Sequence, residues 1–175
     1  MCGIAGAFDI KGSLINRQKI QNMLDTMPYR GPDDSGIYLA ENIGLGHLRL
    51  SILDLSNAGH QPMYSKDKRY VITYNGEIYN YIELARELGQ LGWQLQGHCD
   101  TEVILAAFQQ WGVACLNKFN GMWAFAIWDN LEKKLFCSRD RFGIKPFYYS
   151  FENNQFIFAS EIKALLQDNT IDATM

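Results

Sequence analysis

The chain is 175 residues long, 47% hydrophobic and 20% charged, enough for one domain with a real core and unlike a disordered or fibrous sequence. A formal net charge of -3, with Lys and Arg scattered along the chain, argues against nucleic acid or an anionic membrane as a partner. No apolar stretch approaches the roughly 18 residues of a membrane span, and Asp9 and Lys11 interrupt the first apolar run too early for a signal peptide, so the cytoplasm is expected.

In chain order, "CGIAGAFD" predicts a short buried strand, and Ile20, Met23, Leu24 and Met27 fall at helical spacing before Pro28. "YRGPDDSG" is dense in turn formers and is expected to be loop. "GIYLAEN", "GLGHLRLSILD" and "RYVITYN" read as strands. In "ELARELGQLG", Leu84, Leu88 and Leu91 form an apolar stripe, Asn80 and Glu83 are spaced as a capping box, and Gly92 is a C-terminal stop. A further helix over about 101–111 is expected to bury Ile104, Ala107, Phe108 and Trp111, with Gly112 closing it.

"GMWAFAIWD" is almost continuously apolar, as a strand covered on both faces would be. "KLFCS", "PFYYS" and "QFIFAS" continue the strand series, and "SEIKALL" starts a helix. "RDRFGIKPFYY" reads as a turn with a solvated basic rim, at most a face toward a further domain. Trp93, Trp111, Trp123 and Trp128 sit in patterned segments and are expected in the core. Strands come in runs with helices grouped between them, which predicts an α+β fold of two antiparallel sheets flanked by helices. The closing "LLQDNTIDATM" carries no cap or packing element, so the chain is expected to continue beyond it.

Four pieces could make a site. Cys2 follows the initiator directly; if Met1 leaves, the thiol and the freed α-amine form a nucleophile–base pair within one residue, since their reference pKa values are near 8.5 and 7.7–8.0. The alternative is a small buried hydrophobe. In "HLRLSI", His47, Arg49 and Ser51 share one strand face, and Arg49 could grip a carboxylate or make a surface salt bridge. Asn75-Gly76 is either a hairpin turn or a pair of N–H donors converging on one oxygen. Asp100 could cap a helix, hold an ammonium, or both. Together they would suit a free amino acid with a side-chain amide, and glutamine fits. The four cysteines, Cys2, Cys99, Cys115 and Cys137, include no C-x-x-C pair; no metal is expected, and the thiols should stay reduced.

"MCGIAG", "YRGPDDSG", "GHLRLSI", "YNGEIYN", "DTEVIL", "GMWAFAIWD", "RDRFGIKPFYY" and "SEIKAL" resemble, in that order, the glutaminase domain of glutamine-hydrolysing asparagine synthetases. That domain is a class II glutamine amidotransferase with the N-terminal-nucleophile hydrolase fold, a four-layer αββα sandwich. The resemblance implies that Cys2, unblocked by loss of Met1, is the nucleophile. Arg49 would grip the α-carboxylate, and Asn75 and Gly76 would form the oxyanion hole. Glu77 and Asp100 would bind substrate, with Asp100 meeting the α-ammonium. Arg30, Gly31, Pro32 and Asp33 match a loop near the bound glutamine and are expected to act as a lid. Cys99 stands where such proteins often carry Ser.

The whole of 1–175 is expected to be this one domain, hydrolysing glutamine to glutamate and ammonia through a Cys2 thioester. The ammonia would serve ATP-dependent conversion of aspartate to asparagine by a synthetase domain absent from this sequence, which lacks both an S-G-G-x-D-S run and a G-x-x-x-x-G-K loop. No cofactor is expected here; ATP and Mg belong to that other domain, supplied in cis or trans. A homodimer is a further partner the resemblance allows. The alternatives are the same glutaminase feeding another carboxylate acceptor, an inactive glutamine-binding fragment, or a cysteine–histidine hydrolase using His47, His60 or His98.

Overall fold

The structure is a computed structural model describing residues 1–51, 59–96, 99–168 and 171. Its strands form two antiparallel sheets. The first contains β1 (Gly3–Asp9), β2 (Asp34–Ala40), β3 (Ile43–Arg49), β8 (Tyr148–Glu152) and β9 (Gln155–Ala159), in the order β2-β3-β1-β9-β8. The second contains β4 (Met63–Tyr64), β5 (Tyr70–Ile78), β6 (Gly121–Asp129) and β7 (Lys134–Arg139), in the order β4-β5-β6-β7. The helices are α1 (Arg17–Asp25), α2 (Tyr81–Gln90), α3 (Asp100–Trp111) and the single turn α4 (Ile162–Leu165).

Period-two alternation sorts the apolar side chains into three layers. Between the sheets lie Ile4 of β1, Ile43 and Leu45 of β3, Val71 of β5, and Ala124, Ala126 and Trp128 of β6. The opposite face of the second sheet presents Ile72, Trp123, Phe125 and Ile127 to Leu84 and Leu88 of α2 and Ile104 of α3. On the outside of the first sheet, Ala5, Ala7 and Leu48 meet Ile20, Met23 and Leu24 of α1 and Leu165 of α4. The result is an αββα sandwich, and β6 is buried on both faces as its unbroken apolar run requires. Among the described residues no helix is long and apolar enough to cross a membrane.

Several local expectations change. The loop "YRGPDDSG" is shorter than its composition suggests: Pro28–Arg30 form a 3-10 turn and Asp34 already belongs to β2. Asn80 does not cap α2 with its side chain. It accepts from Asn120 N at 2.9 Å and donates to Lys118 O at 2.9 Å, joining the helix start to the approach of β6. Leu91 is exposed, because α2 ends before it and Gly92, at φ +92°, turns the chain away. Trp123 and Trp128 are core, whereas Trp93 and Trp111 pack only at its margin. "GLGHLRLSILD" leaves the sheet at Arg49, and its 52–54 portion lies outside the described residues.

Candidate active site

One cleft, of about 130 Å³, opens where the start of β1, the ends of β3 and β5, the first turn of α3 and the loop after β7 meet. Cys2, Arg49, Asn75, Gly76, Glu77 and Asp100 all line it. These residues are dispersed over the sequence, and strand register is what collects them. Gly3 pairs with Leu48, carrying Cys2 to the Arg49 end of β3. Asn75 and Gly76 pair with Ala124 and Trp123.

Cys2 is half-buried. Its Sγ accepts from Leu50 N at 3.4 Å and lies 3.7 Å from Leu50 O. The Cys2 carbonyl accepts from Arg30 Nε at 3.1 Å, and Arg30 Nη1 in turn meets Glu161 Oε1 at 3.0 Å. Met1 also lines the cleft and is 55% exposed.

Arg49 is only 7% exposed and belongs to the inter-sheet face of β3, so the surface salt-bridge alternative fails. Gly59 packs against its guanidinium so closely that a Cβ there would collide with Nη2. The same face carries His47, fully buried, with Nδ1 3.2 Å from Thr73 Oγ1. Burial drives the His47 pKa down to about 3, so its imidazole is neutral.

Asn75-Gly76 is not a hairpin turn. β5 runs straight through it to Ile78, because the pairing partner on β6 overrides the local turn preference. Asn75 is 2% exposed and its Nδ2 has no hydrogen-bond partner, a costly arrangement for a buried amide donor. On the same strand Tyr74 N donates to Gln61 Oε1 at 2.7 Å and Ile78 N to Asp100 Oδ2 at 3.0 Å. Backbone N–H direction alternates along a strand, so Gly76 N–H, midway between them, faces that same edge. A Cβ at Gly76 would strike Met122 O, so the residue must be glycine for β5 and β6 to approach this closely.

Asp100 is the first residue of α3; Cys99, not Asp100, occupies the N-cap position. Its buried Oδ2 accepts from Tyr74 OH at 2.7 Å as well as from Ile78 N. Burial pushes its pKa up, and the bonds from Ile78 N and Tyr74 OH pull it only part of the way back. Glu77 is half-buried at the rim. Arg30 to Asp33, the expected lid, lies against the Arg49 end of β3. Pro32 bridges to Arg49, Asp33 N donates to Arg49 O at 3.1 Å, and Ser51 N donates to Asp33 Oδ2 at 2.8 Å.

Three further residues were hidden from the sequence pattern: Tyr74, Gln61 and Lys145 also line the cleft. Lys145 comes from "RDRFGIKPFYY", whose rim is exposed as expected at Arg139, Arg141, Phe142, Ile144, Tyr148 and Tyr149, while Lys145 itself is buried. Asp140 is buried and accepts from the backbone N–H groups of Trp123, Phe142, Ile144 and Lys145, closing the turn around its carboxylate. Burial pushes the Asp140 pKa up, but those four bonds outweigh it and hold the carboxyl below the usual range. Neither His47 nor His60 lines the cleft, and His98 lies outside the described residues.

A family profile described as "Glutamine amidotransferase domain" matches residues 1–175. The chain belongs to this glutamine amidotransferase domain family. It is 45% identical to a putative asparagine synthetase [glutamine-hydrolyzing] 2 of Methanocaldococcus jannaschii, covering 95% of this chain and 35% of that protein. It is 43% identical to asparagine synthetase [glutamine-hydrolyzing] 3 of Bacillus subtilis, covering 99% of this chain and 28% of that protein. The amidotransferase domain thus spans about a third of the length of these relatives. Among solved structures, the glutamine phosphoribosylpyrophosphate amidotransferase of B. subtilis matches with a TM-score of 0.79, over 94% of this chain and 43% of that one. At 20% identity that likeness carries the fold alone, the N-terminal-nucleophile hydrolase sandwich.

Proposed function

We propose that this domain hydrolyses the side-chain amide of glutamine and supplies the ammonia to an ATP-dependent synthetase domain, in cis or trans, that converts aspartate to asparagine. The observation that carries the reading is that Cys2, Arg49, Asp100 and Asn75, whose buried Nδ2 is without a partner, line one cleft. Each charged or polar end of glutamine has a partner there. The α-carboxylate meets Arg49, the α-ammonium meets Asp100, and the amide oxygen meets Asn75 and Gly76.

In this reading Met1 is removed, which opens the part of the cleft it lines and frees the Cys2 amine. The amine takes the thiol proton as Sγ attacks the amide carbon, and the π electrons move onto the carbonyl oxygen. Asn75 Nδ2–H and Gly76 N–H stabilise that oxyanion. The intermediate collapses, the C–N bond breaks, and the amine delivers its proton to the departing ammonia. Water then attacks the γ-glutamyl thioester, releasing glutamate and restoring the thiol. Arg30 holds the Cys2 carbonyl, so the nucleophile's backbone is fixed during both steps.

The test is glutamate release by the chain with Met1 absent, compared with its Cys2→Ala variant. Release by the parent and none from a folded Cys2→Ala protein supports the reading; equal release from both overturns it. The cysteine–histidine alternative loses its support from the same geometry, since no described histidine reaches the cleft.

A further inference from the structure

Gln61 is 6% exposed and lines the cleft, yet the acyl transfer itself gives it no part. Its backbone is seated on the first sheet. The Gln61 carbonyl oxygen packs so closely on β2 that a Cβ at Gly36 would fall 2.2 Å from it. Gly36 pairs with His47 of β3, two residues before Arg49. Just ahead of Gln61, His60 Nδ1 lies 2.7 Å from Asp34 Oδ2 of β2, and Gly59 abuts the Arg49 guanidinium.

The Gln61 side chain reaches the other half of the molecule. Its Oε1 accepts from Tyr74 N of β5 at 2.7 Å, and its Nε2 donates to Thr101 Oγ1 of α3 at 3.3 Å. A side-chain amide suits both tasks, since it carries an acceptor and a donor on one carbon. β4 pairs with β5 only at Val71 and Ile72. Further along that edge, Gln61 takes Tyr74 N and Asp100 takes Ile78 N, so the two bonds flank the Gly76 N–H. Thr101 in turn follows Asp100, whose Oδ2 accepts from Tyr74 OH at 2.7 Å. One residue thus joins the strand that carries Asn75 and Gly76, the helix turn that carries Asp100, and the sheet that carries Arg49.

We infer that Gln61 is a positioning residue that sets the chain length of the amide the cleft accepts. This rests on the reading of the cleft as a glutamine site. In that reading Arg49 and Asp100 hold the α-carbon end of the substrate, and Asn75 with Gly76 meets the amide oxygen. The separation of those two anchors must match the two methylenes of glutamine, and Gln61 is bonded to the segments on both sides of it. Asparagine, one methylene shorter, spans the anchors only if those segments move. A single methylene is worth about 10–200-fold in discrimination.

The experiment measures kcat/KM for L-glutamine and for L-asparagine on one Met1-free preparation, by mass-spectrometric quantitation of glutamate and aspartate, with Cys2→Ala as the blank. A ratio of two substrates on one enzyme does not depend on the fraction of protein folded, so a merely structural role leaves it unmoved. Gln61→Met removes both bonds, Thr101→Val removes only the bond to α3, and Thr101→Ser keeps the hydroxyl. The inference expects the glutamine-to-asparagine ratio to fall about tenfold in Gln61→Met and about fivefold in Thr101→Val, and to hold in Thr101→Ser. An unchanged ratio in Thr101→Val, or in a folded Gln61→Met, overturns it. So does an equal fall in Thr101→Ser, which would mark packing as the cause. Wild-type protein that hydrolyses no glutamine sinks the glutaminase reading and the inference with it, whereas wild-type turnover with an unmoved ratio in the variants sinks the inference alone.

Discussion

The Tyr74 hydroxyl donates to Asp100 Oδ2 at 2.7 Å, tying β5 to the first turn of α3 beneath the cleft floor. Ile78 N, four residues along the same strand, donates to the same oxygen. The two bonds aim a buried carboxylate and favour its charged form against the cost of burial. Tyr74→Phe should therefore raise the KM for glutamine about tenfold while kcat changes little, the scale of one hydrogen bond to a charged group. The pH dependence has a defined sign. Asp100 already titrates above the ordinary carboxylate range, so ammonium binding weakens as pH falls through that raised value. Losing the tyrosine should push this weakening to higher pH, as KM measured across pH 4–8 would reveal.

Asn75 tests the oxyanion hole separately from stability. Its Nδ2 makes no hydrogen bond in the folded protein, so Asn75→Ala forfeits none there. The variant should melt within a few degrees of wild type yet lose roughly 10²–10³ in kcat, about 2.7–4 kcal/mol of transition-state stabilisation. Thermal melts and steady-state kinetics together check it. A large loss of stability with kcat retained would mark the residue as structural.

Gly76→Ala should fail for a different reason. The added methyl meets Met122 O, a backbone atom that cannot swing aside. The β5–β6 pairing must spread, at a cost of about 1–3 kcal/mol. Urea denaturation measures this, and an unchanged midpoint would refute the close approach.

Much of the sandwich was legible in the chain. The β6 run was legible because a strand buried on both faces is apolar at nearly every position, and its short length with a flanking glycine favours strand over buried helix. Cys2 stood out by its place behind the initiator. What stayed hidden depends on pairing between distant segments. Asn75-Gly76 carries a strong local turn signal, and nothing nearby in sequence reveals that β6 will hold it extended. His47 and Arg49 look like the wet face of a strand until the second sheet covers them. β4, two residues long, is below any periodic signal. Lys145 escaped notice because its loop is basic, aromatic and mostly exposed, and of its three basic residues only Lys145 is buried.

The Arg30–Glu161 pair predicts an acid limit for the site. Glu161 is pushed up by burial, but its bonds to Tyr29, Arg30 and Lys163 outweigh this and lower its pKa from 4.5. A carboxyl depressed on folding stabilises the folded state above its unfolded pKa, and that contribution fades as pH falls through the folded value. Glu161→Gln should therefore lower stability at neutral pH and flatten the loss of stability below pH 4.5, as melts from pH 3 to 7 would record. Because Arg30 also holds the Cys2 carbonyl, the same variant should reduce kcat.

The most direct test uses a glutamine analogue bearing an electrophile at its γ-carbonyl end, added to the Met1-free chain and followed by intact and peptide mass. The account predicts a single adduct on Cys2, formed more slowly when glutamine is present and absent from Cys2→Ser. Labelling that glutamine does not slow, or an adduct on Cys99, Cys115 or Cys137 with Cys2 untouched, would contradict it.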